Sequence, residues 1–214
     1  MKKNCIFWEN TDSVNQIKQS LLNNKVVVGS SDTVFGLLAN TTAIGFSNLN
    51  SIKQRAEKPY IILINHIDKL KHFVSIERSD SVLNLLKFCW PGPLTVIFKA
   101  KDDLPAFLKS QDHKVAIRVP QHAGLLQLLA SFEGLFSTSA NLAGDEVPGL
   151  IEGINTKIID KIDLIVLDRY NAGYANTSQP STILDCSTGQ IRVIRVGAYS
   201  IDSLVRICGG PILY

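Results

Sequence analysis

The stretch VVVGSSDTVFGLLAN, residues 26–40, joins two apolar runs through a turn of small hydroxyl residues. Its opening valines, ending at Gly29, are the β-branched run of a buried strand. GLLAN, residues 36–40, reads as a second strand. Between them stand Ser30, Ser31, Asp32 and Thr33, with nothing nearby that resembles a nucleophile and its base. The question is what such a turn holds.

Outward from this stretch, strands and helices interleave. Residues 11–23 form an amphipathic pattern, capped by Thr11 or Asp12, with Val14, Ile17, Leu21 and Leu22 on one face. Residues 42–55 step helically through Ile44, Leu49 and Ile52, which puts Lys53 and Arg55 at the C-terminal end. Residues 79–90 read as a helix that must stop before Pro91. Residues 122–132 read as another, and 200–210 as a last one with a Gly stop. Strands are expected at 60–65, 94–100, 114–120, 135–141, 163–168, 181–185 and 190–195. The spacing is uneven and the end is strand-rich. That predicts an α/β fold, a single domain over 1–214 with its core at about 12–200, built around a twisted mixed β-sheet. Residues 143–162 and 169–179 are the least regular and are expected as surface loops.

Composition bounds the function. The chain has 214 residues, 45% hydrophobic and 19% charged, which suits one sizeable globular core. No apolar run approaches the roughly 20 residues of a membrane helix, and the run of four apolar residues before Glu9 is too short for a signal peptide to be expected. A cytoplasmic location is expected. Cys5, Cys89, Cys186 and Cys208 are scattered and are expected to be reduced and mostly buried. His66, His72, His113 and His122 lack metal-ligand spacing, so no protein metal site is expected. The net charge of +3 does not by itself imply nucleic-acid binding.

Five cations adjoin polar turns: Lys53, Arg55, Lys58, Arg118 and Arg195. A lone Lys or Arg is usually a solvated charge. Arg118 is less easily dismissed, because it alternates with Val115, Ile117 and Val119 and so shares the opposite face with Ala116. It needs an anion or a surface. Three hydroxyl-rich turns stand beside these cations, SSDT (30–33), STSAN (137–141) and PSTILD (180–185). Each alone is as often a turn former or a cap. Together with the cations they suit a polyanion pocket, since hydroxyls and Arg forks are what phosphate and carboxylate oxygens require. There is no P-loop, no G-x-G-x-x-G and no G-x-S-x-G. His122 reads as a cap-region residue rather than a base, and Trp90 as a packing anchor.

Six segments, SSDTVFGL, KQRAEKP, WPGPLTVIF, VAIRVP, STSANLAG and STILD…IRVIRVGA, resemble in order and spacing the YrdC/TsaC-like threonylcarbamoyl-adenylate synthases. The resemblance spans residues 12–200 and is to the single-domain bacterial type. It implies the YrdC-like fold with a concave basic cavity. It also implies a nucleotidyltransferase that makes threonylcarbamoyl-AMP and pyrophosphate from L-threonine, bicarbonate or CO2 and ATP with Mg²⁺. That product serves the t6A37 modification of tRNA, through hand-off to a TsaD/TsaB/TsaE-type transferase complex. Carried over by position, Thr33, Arg118, Ser139 and Ser181 would bind threonine. Arg55, Lys58, Asn141 and Arg195 would bind ATP, and Lys53 and Arg55 would be the catalytic pair. The chain departs from the family pattern at Ser30–Ser31, at Phe35, at Ala56 and in AGDEVPG after the S-A-N turn. A competing reading is a double-stranded RNA or tRNA-binding module of the same fold, marked by steep salt dependence and no ATP turnover. Another is the carbamoyl-transfer chemistry of hydrogenase-maturation proteins, which the absence of zinc-finger and acylphosphatase-like segments disfavours.

Overall fold

The computed structural model describes residues 4–54, 59–75, 80–171, 173, 175–177, 179–208 and 212–213. Within them the strands are β1 (Asn4–Phe7), β2 (Val27–Gly29), β3 (Gly36–Asn40), β4 (Ile61–Leu63), β5 (Leu94–Lys99), β6 (Lys114–Arg118), β7 (Leu135–Ser139), β8 (Leu164–Leu167), β9 (Thr182–Asp185) and β10 (Arg192–Arg195). They make one sheet in the order β1-β8-β2-β3-β7-β4-β6-β5-β9-β10. Pairing is parallel at β1–β8, β8–β2, β4–β6 and β5–β9 and antiparallel elsewhere, so the sheet is mixed, as the sequence predicts.

The helices are α1 (Ser13–Leu22), α2 (Ala43–Lys53), α3 (Asp80–Cys89), α4 (Ala123–Leu129), α5 (Thr156–Ile159) and α6 (Ile201–Cys208). Strand alternation sends side chains to two cores. Val27, Leu38, Leu63, Leu135 and Val166 pack with Ile17 and Leu21 of α1 and with Leu125, Leu128 and Leu129 of α4. Their chain neighbours Val28, Leu37, Ile62, Phe136 and Ile165 face the other core, with Leu49 of α2, Leu85 of α3, Ile158 of α5 and Leu204 of α6. Each fully buried Leu, Ile or Phe contributes about 1.5–3 kcal/mol, and with both faces covered most strands read as nearly continuous apolar runs.

Four local expectations need correction. Strand β1 was not anticipated: NCIF is too short to show a period, and only its parallel pairing, Asn4 with Leu164, makes it a strand. Asp12 does sit at the N-cap of α1, but its carboxylate accepts from the side-chain amides of Asn15 and Gln16, both at 3.3 Å, and not from a helix N–H. Leu22 and Ile44, placed on apolar faces by their spacing, are exposed at 47% and 59%. Of the cysteines, all free, only Cys89 is buried, while Cys5 is exposed and the other two are half-buried. No helix among the described residues is long and apolar enough to cross a membrane.

Candidate functional site

The hydroxyl turns and the cations converge because of strand order. The turn after β2 leads into β3, whose first residue Gly36 pairs with Ser139 at the end of β7, and Ala140 N–H donates to Phe35 O at 2.9 Å. SSDT and S-A-N therefore lie side by side although more than a hundred residues separate them. Strand β4 carries the sheet from β7 to β6, with Leu63 opposite Arg118. Beyond β6, Leu94 of β5 pairs with Thr182 of β9, and Ile183 pairs with Arg195 of β10. One cavity of about 250 Å³ opens among these ends, and Thr33, Arg118, Ser139, Ser181 and Arg195 all line it.

Arg118 is held on three sides. Its Nε donates to Gly92 O at 3.0 Å and its Nη1 to Thr33 Oγ1 at 3.1 Å. Its Nη2 meets Asp32 Oδ1 at 2.6 Å, an ion pair whose side chains are 7% and 9% exposed. Those two atoms touch without the alignment of a hydrogen bond, and both are sealed from solvent. Asp32 Oδ2 in turn accepts from Gln121 N–H at 3.0 Å. Burial lowers the Arg118 pKa and the charge and contact of Asp32 oppose that shift. The alternating pattern's demand for an anion beside Arg118 is thus met inside the protein, by a residue of the SSDT turn.

Arg195 is held differently. Its Nε and Nη2 donate to Ser181 O at 3.1 and 2.8 Å, and Nη2 also to Ser181 Oγ at 3.3 Å. Ser181 Oγ shares a hydrogen bond with Thr95 Oγ1 at 2.8 Å. Burial lowers the Arg195 pKa, and the charge of Arg118 lowers it further, so the two guanidiniums feel each other across the cavity.

Lys53 and Asn141 are not on the cavity wall. Lys53, 3% exposed, donates through Nζ to Ser139 O at 2.9 Å, to Asn141 O and to Asn141 Oδ1 at 3.2 Å. It braces the S-A-N turn from behind. Asn141 Nδ2 donates to Asp145 O at 2.6 Å. Arg55 and Lys58 lie outside the described residues. Sequence reasoning missed Asp32 and Thr95. Thr95 left a faint signal, a hydroxyl inside the run LTVIF that proves fully buried.

His122 is the N-cap of α4, as its position suggested: Nδ1 accepts from Leu125 N–H at 3.1 Å. The ring proton then sits on Nε2, which donates to Asp168 Oδ1 at 2.8 Å. Asn176 Nδ2 bridges Asp168 Oδ2, at 3.3 Å, to Ser31 O, tying the site's turn to this pair. Burial raises the Asp168 carboxyl pKa, but contacts with His122, Ser30 and Asn176 outweigh it and hold it below its ordinary value. A lowered folded pKa means the ionised form favours the fold. Its contribution is complete above the unfolded value of about 3.9 and is lost as pH falls through the folded one. Asp168→Asn should therefore flatten the acid limb of a melting-temperature profile below about pH 4. An acid limb identical to the wild type's would contradict this.

No thiol is activated: burial raises the pKa of all four cysteines, that of Cys186 to about 12. Gly197 matters instead through space. A Cβ there would lie 2.2 Å from Pro180 O and 2.7 Å from Ser181 C and O, backbone atoms that cannot swing aside. Gly197→Ala should cost about 1–3 kcal/mol by overpacking and prise β10 from Ser181. The urea midpoint of Gly197→Ala should fall accordingly, and an unchanged midpoint would contradict it.

The Sua5/YciO/YrdC family model, described as "Telomere recombination", matches residues 19–197. A putative threonylcarbamoyl-AMP synthase of Methanocaldococcus jannaschii is 29% identical over 192 residues, 89% of this chain and 88% of that protein. A threonylcarbamoyl-AMP synthase of Klebsiella pneumoniae subsp. pneumoniae is 30% identical over 175 residues, 80% and 90% of the two chains. Among solved structures, P. abyssi Sua5 complexed with L-threonine superposes with a TM-score of 0.87 at 22% identity, over all of this chain but only 63% of that one. Sheet order, clustered motifs and the span of the family match agree: the chain belongs to the Sua5/YciO/YrdC family.

Proposed function

We propose that the chain is an L-threonylcarbamoyladenylate synthase, joining L-threonine, bicarbonate or CO2 and ATP into threonylcarbamoyl-AMP and pyrophosphate. The observation that carries this reading is a single hydroxyl-rich cavity lined by two guanidiniums in unlike surroundings, with no activated thiol beside them. The names of the two relatives favour it over an RNA-binding module. The chemistry asks for placement and charge more than for covalent catalysis. A neutral threonine amine adds CO2, giving a carbamate and a proton. A carbamate oxygen then attacks the α-phosphorus, the bond to the bridging oxygen breaks and pyrophosphate leaves.

Each group has a part in this scheme. With Nη2 on Asp32, Arg118 meets the threonine carboxylate through Nη1, beside the Thr33 hydroxyl, and not through both Nη atoms. Ser181, with Thr95 behind it, supplies a hydroxyl partner that an apolar competitor such as valine would leave unpaired. Arg195 takes the phosphates together with Arg55 and Lys58, while Lys53 and Asn141 keep the Ser139 turn in place. Mg²⁺, arriving with ATP, would offset the charge of the phosphates beside Arg195. The product passes to a TsaD/TsaB/TsaE-type transferase, and tRNA is met only indirectly.

The test is product analysis by mass spectrometry. The chain with threonine, bicarbonate and Mg-ATP should yield threonylcarbamoyl-AMP, and added tRNA should stay unmodified at adenosine 37 until the transferase proteins are supplied. Modified nucleoside formed without them would contradict the hand-off.

A further inference from the structure

The two cationic ends of the cavity are not equivalent. Arg118 carries a buried carboxylate at 2.6 Å. Among the described residues, Arg195 is bonded only to the neutral carbonyl and hydroxyl of Ser181. Among the described residues no carboxylate stands within ion-pair distance of it. Asp32 itself is not among the residues that line the cavity, so it acts on a ligand through the charge it sets against that of Arg118 and not by contact. Sealed from solvent, this pair is little screened by salt.

We infer that Asp32 is a positioning residue that makes the Arg118 end of the cavity nearly neutral and leaves the Arg195 end cationic, so that the cavity sorts an amino-acid zwitterion to the first and a polyphosphate to the second. The inference rests on the synthase reading and adds to it the source of substrate orientation. Without Asp32, two guanidiniums lining one cavity would both draw the most highly charged ligand present. A triphosphate could then lie across both and exclude threonine. A net-neutral ion pair removes that competition: a zwitterion loses little by meeting it, whereas a polyphosphate gains little there.

The experiment is calorimetric titration of the full chain with L-threonine and with inorganic pyrophosphate, at low and high salt. For the wild type, threonine affinity should change less than about twofold between 50 and 500 mM salt, and pyrophosphate affinity should fall at least about tenfold, as exposed charge is screened. The two ligands should bind without competing. In Asp32→Asn, pyrophosphate should tighten about tenfold, threonine should weaken about tenfold once pyrophosphate is present, and each should now displace the other. Asp32→Glu, keeping the charge, should restore the wild-type preference. The salt comparison needs no variant and stands if Asp32→Asn fails to fold. Threonine binding as salt-sensitive as that of pyrophosphate, or an Asp32→Asn protein with the wild-type ratio of affinities, would overturn the inference and leave the synthase reading intact. A wild-type chain that bound no threonine would overturn both.

Discussion

Arg118→Gln is expected to lose threonine-dependent turnover by about tenfold to a hundredfold, since the charge-assisted contact proposed for the threonine carboxylate would be worth about 1.5–3 kcal/mol, and the substitution also frees the Thr33 hydroxyl that Arg118 fixes at 3.1 Å. The same change should destabilise the fold. It strands Asp32, buried at 9% side-chain exposure, as an unpaired charge, and breaking a buried pair from one side costs about 3–5 kcal/mol. Asp32→Asn combined with Arg118→Gln removes the stranded charge. The double variant should recover much of the stability, read from urea midpoints, and none of the threonine binding. A double variant no more stable than Arg118→Gln would show that the pair is not energetically coupled. Threonine affinity kept in Arg118→Gln would remove Arg118 from the site.

Phe136→Ala should have the largest effect on stability. Phe136 is fully buried in the middle of β7, between Ala39 of β3 and Ile62 of β4. Its ring meets those of Phe46 at 5.8 Å and Tyr60 at 6.0 Å. Truncation leaves a void at the centre of the larger core and should cost about 3–5 kcal/mol, a large part of the roughly 5–15 kcal/mol that holds a domain together. At this chain length that corresponds to a melting point lower by about 10 °C. Tyr60 also lines the cavity, so ligands should bind less tightly even to the folded fraction. A loss below about 1 kcal/mol would mean that neighbouring rings collapse into the gap.

These residues also show what could be read from the chain alone. The strand at Val27–Gly29 and the helix at Ala43–Lys53 announce themselves by β-branched composition and by period. The inward Arg118 announces itself by alternation in VAIRVP. Asp32 does not, although it stands in the quoted turn. Its partner is 86 positions away, and nothing local says that β7 inserts between β3 and β4 and so carries β6 close to the SSDT turn. The cluster of Ser181, Thr95 and Arg195 is hidden for the same reason, since it depends on β9 pairing with β5. The position of Lys53 at the end of α2 was legible, but its engagement with Ser139 O and Asn141 O was not, because a lysine at a helix end looks the same whether it reaches into a cavity or braces a turn. Periodicity reports which face a residue occupies; register across distant strands decides what it meets there.

The most direct test of the synthase reading is pyrophosphate release from Mg-ATP, measured with threonine and bicarbonate each present or withheld and with valine in place of threonine. Release should require both threonine and bicarbonate and should be far slower with valine, which leaves a hydroxyl partner in the cavity unpaired. Equal release with valine, or none with threonine and bicarbonate together, would contradict the account.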